Sequence, residues 1–102
     1  MTEAAFIRQV LQLARLRGWR SLHIRPALNQ RGKWLTPLQG DGVGFPDLLL
    51  LRRDQQIVAE LKVGRNTTTA AQEAWLAAFR AANVAAYVWH ETDWDEIVKV
   101  LE

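Results

Sequence analysis

Asp47, Glu60 and Lys62 are the residues of this chain whose types and spacing could do chemistry. Glu60 and Lys62 are two positions apart, so on a β-strand their side chains share one face while Leu61 points to the other. If the two segments pair as an antiparallel hairpin, Asp47 comes opposite residues 60–62, and directly opposed side chains in such a ladder lie about 5 Å apart. Two carboxylates with a cation beside them suit a hard divalent metal ion such as Mg²⁺.

A plainer interpretation of the Glu60-Leu61-Lys62 segment is a solvated strand face with a surface ion pair of small energetic value. The surrounding sequence argues against it. Residues 48–51 and 57–63 have the apolar character of buried strands, and a polar turn centred near Asp54-Gln55 separates them. Unpaired charge beside buried strands is costly and tends to be retained for function.

Apolar periodicity and capping signals predict the elements that must position these residues. The predicted elements are a helix over 3–17 between an N-cap at Thr2 and Gly18, strands over 19–25, 48–51 and 57–63, a helix over 69–82, a strand over 84–90, and a last helix that Thr92 or Asp93 caps and that runs through Leu101. Residues 26–44 read as a long irregular connection, and such loops in compact domains are more often functional than neutral. The order of elements predicts one α/β domain over residues 1–102.

Composition narrows the class of protein. About half of the 102 residues are apolar and five are Trp, which argues against disorder. The absence of cysteine excludes disulfides, thiol catalysis and thiolate zinc sites. No run approaches the roughly 18 apolar residues of a membrane span, and no signal peptide is recognisable, so we expect no membrane partner and a cytoplasmic location.

The net charge of +2 hides an uneven distribution of charge. Residues 91–102 carry five acids and a single base, whereas residues 1–90 carry twelve bases and six acids. Three of those six acids (Glu3, Asp47 and Glu60) belong to the candidate site. A basic surface around an acidic pocket suits a polyanion held near metal ions, although a merely soluble cationic domain would show the same charge count.

Glu3 and Gln72 are weaker candidates, each with a structural alternative. Glu3 continues the buried stripe of the first helix, but an acid in a first turn also interacts well with the helix dipole. Gln72 shares a helix face with Trp75 and points inward, but Thr69 and Gln72 also form the sequence pattern of a capping box. The residues leave both alternatives open.

Together these residues resemble a known family. Gly44-Phe45-Pro46-Asp47 and Glu60-Leu61-Lys62, with twelve residues between Asp47 and Glu60, then Gln72 on a helix and Glu3 on a first helix, are similar to the PD-(D/E)XK nuclease superfamily. Within it, the chain resembles the stand-alone VRR-NUC (virus-type replication-repair nuclease) family of bacteriophages and bacteria. The likeness extends over nearly the whole chain and includes Trp19, His23, the loop Trp34-Leu35-Thr36-Pro37 and the closing segment Val88-Trp89 to Asp93-Trp94-Asp95. One departure is the segment 63–68, which is more polar than is typical of that family.

The resemblance implies a restriction-endonuclease-like α-β-β-β-α-β core with a mixed central sheet flanked by helices. It also implies dependence on Mg²⁺ or Mn²⁺ and hydrolysis of phosphodiester bonds in DNA. The expected metal ligands are Glu3, Asp47, Glu60 and the Leu61 carbonyl, with Lys62 and Gln72 as further catalytic residues. Stand-alone members resemble Holliday junction resolvases, so we expect a homodimer that cuts four-way junctions.

Several basic residues are candidates for contacts with the DNA backbone, which give salt-dependent affinity without sequence preference. The strongest of these are Arg25, Arg31, Lys33 and Arg65. His90 and His23 are expected to be hydrogen-bonded residues at the rim of the core, with His23 also a candidate neighbour of the site. Trp34 is a candidate for stacking on a base or packing on a second subunit. A nicking, flap or restriction-type endonuclease and a non-catalytic DNA-binding module remain alternative functions.

Overall fold

The protein has an α/β fold in which helices flank a mixed four-stranded sheet. The computed structural model describes residues 1–24, 27–28, 34–35 and 40–102. Its elements in chain order are α1 (Glu3–Leu16), β1 (Arg20–His23), β2 (Ala27–Leu28), β3 (Trp34–Leu35), β4 (Leu48–Arg52), β5 (Gln55–Lys62), α2 (Ala70–Ala81), β6 (Ala85–His90), a 3-10 turn (Glu91–Asp93) and α3 (Trp94–Val100). In the part of the chain described, no helix is long and apolar enough to cross a membrane.

The first helix begins and ends where its capping residues predict. The Thr2 hydroxyl accepts the backbone N–H of Ala5 at 3.1 Å, which satisfies one of the free donors of the first turn. Gly18 follows the helix with a φ of +81°, a left-handed conformation that glycine adopts without steric cost. Phe6 and Val10 are completely buried, so this helix presents an apolar stripe to the sheet.

The sheet has the strand order β1-β4-β5-β6. β4 pairs antiparallel with both β1 and β5, whereas β6 pairs parallel with β5. A parallel pair needs a crossover connection, and α2 supplies it here. The central strand β5 therefore has neighbours on both sides and carries Glu60 and Lys62 near its carboxyl end.

The hairpin between β4 and β5 turns one residue earlier than the sequence predicted. Arg52 pairs with Gln55, so Arg53 and Asp54 form a two-residue turn rather than one centred near Asp54-Gln55. Short hairpin turns need a residue with positive φ to match the twist of the strands, and Arg53 takes that conformation with a φ of +56°.

The alternation of side chains along β5 divides the sheet into two faces. Ala59 and Leu61 point into the main apolar core, where α1, α3 and Trp89 enclose them. Val58 and Glu60 point to the opposite face, which α2 covers. The strand thus places Ala59 and Leu61 in the main core, and it places Glu60 and Lys62 on the other face together with Val58.

One other segment differs from the sequence prediction. Within residues 26–44, predicted to be irregular, β2 and β3 pair as a two-stranded antiparallel ribbon. The last helix begins at Trp94, directly after Asp93, which occupies the N-cap position as predicted. The Asp93 carboxylate accepts the backbone N–H of His90 at 2.8 Å rather than an N–H of the helix.

Candidate active site

Asp47 lies immediately before β4, after the buried Pro46. Pro46 has no backbone N–H to donate, so it suits a position at the start of a strand. Leu48 pairs with Ala59, which brings Asp47 to the level of Glu60 on the neighbouring strand. One Asp47 carboxylate oxygen, Oδ2, accepts the backbone N–H of Leu61 at 2.9 Å. The carboxylate is therefore fixed across the open end of the hairpin, as the sequence predicted.

Glu60 is the one buried charged residue of the described chain, with 2% of its surface exposed. Its Oε1 atom accepts a hydrogen bond from Gln72 Nε2 at 3.0 Å and lies 3.7 Å from Lys62 Nζ. Its Oε2 atom is buried and has no hydrogen-bond partner among the described residues. A buried carboxylate oxygen without a donor is costly when the group is ionised, so either a retained proton or a bound cation would complete its environment.

The surroundings of Glu60 raise its pKa from 4.5 to about 8. Burial is the largest cause, followed by the charge of Asp47 and a hydrogen bond with the Asp47 carboxyl, whereas the Lys62 ammonium acts in the opposite direction. Without a further cation, Glu60 therefore retains its proton to a higher pH than an ordinary glutamate. A divalent cation beside the two carboxylates would favour their ionised forms.

Lys62 lies on the same face of β5 as Glu60, as the spacing predicted. Its side chain is only 12% exposed, and the 3.7 Å separation from Glu60 makes it an ion-pair partner rather than a hydrogen-bond donor to that carboxylate. An ammonium group held beside a buried acid at this distance remains able to approach a further anion.

Gln72 combines the two roles that the sequence left open. Its backbone N–H donates to Thr69 Oγ1 at 3.2 Å and its Oε1 accepts the backbone N–H of Thr69 at 2.9 Å, which completes the capping box. The other end of the same amide donates to Glu60 through Nε2. The start of α2 is therefore fixed by the residue that also reaches the site.

Glu3 lies half-buried in the first turn of α1. Its charge contributes to the raised pKa of Glu60, but as the last of the causes, behind Asp47 and Lys62. Among the residues that the structure describes, no group of three or more Asp, Glu, His or Cys side chains has the arrangement of a metal site. The geometry therefore groups Asp47 and Glu60. The role of Glu3 as a metal ligand remains a prediction.

The two carboxylates fit a small divalent cation. Mg²⁺ is often held by one or two carboxylates and completes its shell with water and substrate phosphate oxygens. Asp47 and the free Oε2 of Glu60 would supply protein oxygens of this kind. The Leu61 carbonyl stays a predicted ligand, while the N–H of the same residue orients Asp47.

The loop before Asp47 is held against α2 in a way that the sequence did not reveal. Trp75 Nε1 donates to the carbonyl oxygens of Asp41 at 2.7 Å and Val43 at 3.1 Å. Gly44 has a φ of +84°, and a Cβ there would lie 2.6 Å from the Ala71 carbonyl carbon. The Gly-x-Pro-Asp pattern hints at this close approach, but the contact with α2 depends on tertiary packing.

The predicted DNA contacts are described only in part. Arg65 is exposed and has no hydrogen bond or ion pair in the described structure. His90 is hydrogen-bonded at the rim as predicted, with Nε2 3.1 Å from the Asn66 carbonyl oxygen. His23 is half-buried on β1, one strand from β5. Arg25, Arg31 and Lys33, together with the side chain of Trp34, lie outside the described residues.

Glu91 is a residue near the site that the sequence did not single out. Both of its carboxylate oxygens accept the backbone N–H of Gly64, at 3.0 and 3.2 Å. Gly64 is two residues beyond Lys62. Only the parallel pairing of β5 with β6 brings Glu91 to this position, and no local sequence pattern could have indicated it.

Comparisons with protein-family models, curated proteins and solved structures found no match to this chain.

Proposed function

We propose that this protein is a metal-dependent endonuclease that hydrolyses phosphodiester bonds in DNA. One observation carries the proposal: a buried glutamate with a free carboxylate oxygen lies between Asp47, Lys62 and Gln72. A purely structural ion pair would leave no such oxygen and would not need two carboxylates close enough to raise the pKa of one.

Each residue has a defined part in the proposed reaction. Asp47 and Glu60 would hold Mg²⁺ or Mn²⁺, which supplies Lewis-acid stabilisation of the phosphate and a more acidic bound water. Lys62 would orient or help to deprotonate the attacking water, or neutralise charge that grows on the phosphate oxygens. Gln72 keeps Glu60 in place through its amide N–H and would orient the phosphate or the water. Glu3 is proposed as a further ligand, directly or through water.

DNA is the proposed substrate because of the charge of the chain. Twelve bases against six acids in residues 1–90 suit a polyanion, and part of that acidic charge lies in the site itself. Arg65 lies three residues after Lys62, is exposed and has no ion pair among the described residues, which suits a contact with the backbone of a strand bound at the site.

The order of elements, α-β-β-β-α-β with two tiny strands inserted, supports the proposal of a restriction-endonuclease-like core of the VRR-NUC type. The finer proposal is a homodimeric Holliday junction resolvase. A dimer with two-fold symmetry would offer two sites to a junction of matching symmetry. A nicking, flap or restriction-type enzyme would use the same chemistry on another substrate.

The test is cleavage of end-labelled DNA in Mg²⁺, Mn²⁺ or EDTA. The panel holds a mobile four-way junction, a flap, a nicked duplex and a linear duplex of one sequence. Asp47→Ala and Lys62→Ala should abolish cutting, whereas Asp95→Ala, which removes an exposed acid from α3, should not. Paired symmetric cuts in the junction alone would support a resolvase, and equal cutting of all substrates would leave a less selective nuclease. If the folded wild-type protein binds these substrates but cuts none with metal present, the chain is a non-catalytic DNA-binding module instead.

A further inference from the structure

The polar segment that follows Lys62 forms a tight turn. The backbone N–H of Asn66 donates to the Val63 carbonyl at 3.2 Å, and Gly64 has a positive φ of +58°. Polar residues and a left-handed glycine are what such a turn requires. This segment, residues 63–66, begins one residue after the proposed catalytic lysine and is named the post-lysine turn below.

Two side chains from the end of β6 hold the post-lysine turn. Glu91 accepts the Gly64 N–H with both carboxylate oxygens, at 3.0 and 3.2 Å. His90 Nε2 lies 3.1 Å from the Asn66 carbonyl oxygen. Because a carbonyl oxygen can only accept, this contact requires the proton on Nε2. The turn is thus held at two points, one on each side of Arg65.

The holding residues are themselves anchored. Lys62 and His90 are partners in the parallel ladder of β5 and β6, so the turn and its supports start from adjoining strand ends. Asp93 accepts the backbone N–H of His90 at 2.8 Å, and its carboxylate lies 3.9 Å from His90 Nδ1. The support therefore extends from the 3-10 turn through β6 to the post-lysine turn.

Arg65 is the residue that this arrangement presents. Its neighbours Gly64 and Asn66 are held by Glu91 and His90, while its own side chain is exposed and forms no hydrogen bond or ion pair among the described residues. An ordered backbone under a free guanidinium lowers the entropy lost when that group binds a phosphate. The carboxylate of Glu91 accepts the Gly64 N–H, and this hydrogen bond lowers the pKa of Glu91.

We propose that Glu91 and His90 are positioning residues that fix the post-lysine turn so that Lys62 and Arg65 meet successive phosphates of one strand. This inference rests on the proposed nuclease function. Neither residue touches the substrate; both act through the backbone of the turn.

The first test compares Glu91→Ala with Glu96→Ala. Glu96 is an exposed acid on α3 without a hydrogen bond in the described structure. Glu96→Ala therefore removes the same charge as Glu91→Ala but breaks no hydrogen bond. Glu91→Ala should raise KM for DNA and lower kcat, together about tenfold or more in kcat/KM, because small misplacements of reacting groups are costly. Glu91→Gln keeps an oxygen acceptor for Gly64 and should restore most of the activity. Equal kinetics for the Glu91→Ala and Glu96→Ala variants would overturn the proposal.

A double-mutant cycle separates positioning from general damage. Arg65→Ala alone should raise KM and lower the salt dependence of DNA binding by about one phosphate contact. In a Glu91→Ala background the same change should have a much smaller effect, because a mobile turn already fails to present Arg65. Arg20→Ala provides the control for a lost cation, since Arg20 pairs with Leu51 at the other end of the sheet. Strict additivity of Glu91→Ala and Arg65→Ala would contradict the inference.

A third readout does not depend on catalysis. Amide hydrogen exchange at Gly64 and Asn66 should become faster in Glu91→Ala but not in Glu96→Ala. DNA affinity in EDTA should fall in parallel. If the wild-type protein cuts no DNA, the nuclease proposal fails while this measurement still decides whether Glu91 holds the turn for binding. Unchanged exchange at Gly64, or faster exchange with unchanged DNA affinity and kinetics, would refute a positioning role.

Discussion

The buried carboxyl of Glu60 makes the stability of the metal-free protein depend on pH in a direction opposite to that of most glutamates. In the unfolded chain Glu60 ionises near its ordinary pKa of 4.5, whereas in the folded protein its pKa is raised to about 8. Below pH 4.5 both states hold the proton, and the contribution of Glu60 to stability is at its highest. Between pH 4.5 and 8 the folded state alone retains the proton, so the free energy of unfolding falls as pH rises. Above pH 8 the loss is complete.

The size of this loss follows from the same two values. At 1.36 kcal/mol per pH unit, the interval from 4.5 to about 8 corresponds to an upper bound of roughly 5 kcal/mol. Relaxation of the site and entry of water reduce the penalty of a buried charge, so we expect about 2–3 kcal/mol. Glu60→Gln should remove this dependence, since a neutral amide oxygen can still accept the hydrogen bond from Gln72.

The assay is urea unfolding in EDTA at pH 5, 7 and 9, monitored by tryptophan fluorescence. The difference in free energy of unfolding between wild type and Glu60→Gln isolates Glu60 from every other titrating group. This difference should move in favour of Glu60→Gln by about 2–3 kcal/mol from pH 5 to pH 9. Glu96→Gln, a change at an exposed position, should parallel wild type. Parallel curves for wild type and Glu60→Gln would show that Glu60 is not held in a desolvated site and would remove the main support for the metal centre.

Four further changes test the arrangement around Glu60. Mg²⁺ or Mn²⁺ should raise the melting temperature of wild type more at pH 8 than at pH 6, because binding needs ionised carboxylates, and it should have little effect on Glu60→Gln in the same thermal-shift assay. Gln72→Ala removes both a capping bond and the donor to Glu60, so it should destabilise the protein by about 1–3 kcal/mol in urea unfolding. Gln72→Glu retains only the acceptor for the capping bond, and its loss of stability should be largest at high pH. Gly44→Ala should cost about 2 kcal/mol or more and lower DNA cleavage, because its Cβ would lie 2.6 Å from Ala71 at a φ of +84°; a stability equal to wild type would refute the close contact of loop and helix. Lys62→Met keeps the length of the side chain without its charge and should abolish cleavage while the pKa of Glu60 rises, as reported by carboxyl titration in NMR.

The sequence predicts the hairpin and the grouping of its charged residues because both depend on local patterns. The two-residue spacing of Glu60 and Lys62 determines that they share a face, and the apolar run around them indicates burial. The register of the two strands depends on the position of the turn, which the sequence placed one residue too late. Asp47 still lies next to Glu60, because both residues are near the open end of the hairpin. Gln72 was ambiguous because one amide can make capping and site contacts at once.

The contacts that the sequence could not predict all join segments far apart in the chain. Glu91 meets Gly64 across 27 positions and Trp75 meets Asp41 across 34. Both depend on where α2 and β6 pack, and no periodicity or capping signal encodes that. These two contacts also hold the segments on either side of the carboxylates, the glycine loop before Asp47 and the turn after Lys62.

The placement of Glu60 argues that its cost is offset by function. The alternation of β5 delivers Ala59 and Leu61 to the apolar core, so Glu60 must lie on the face that α2 covers. An apolar residue at position 60 would be buried beside Val58 without the cost of desolvating a charge, and the backbone of the strand does not require a carboxylate there. Instead, Glu60 lies beside Asp47, and among the described residues it has one amide donor in Gln72 and the Lys62 ammonium 3.7 Å away. Burial and the second carboxylate raise the pKa of Glu60 and weaken the metal-free fold at neutral or higher pH, whereas the Lys62 ammonium offsets part of that cost. A divalent cation beside the two carboxylates would stabilise their ionised forms and with them the fold.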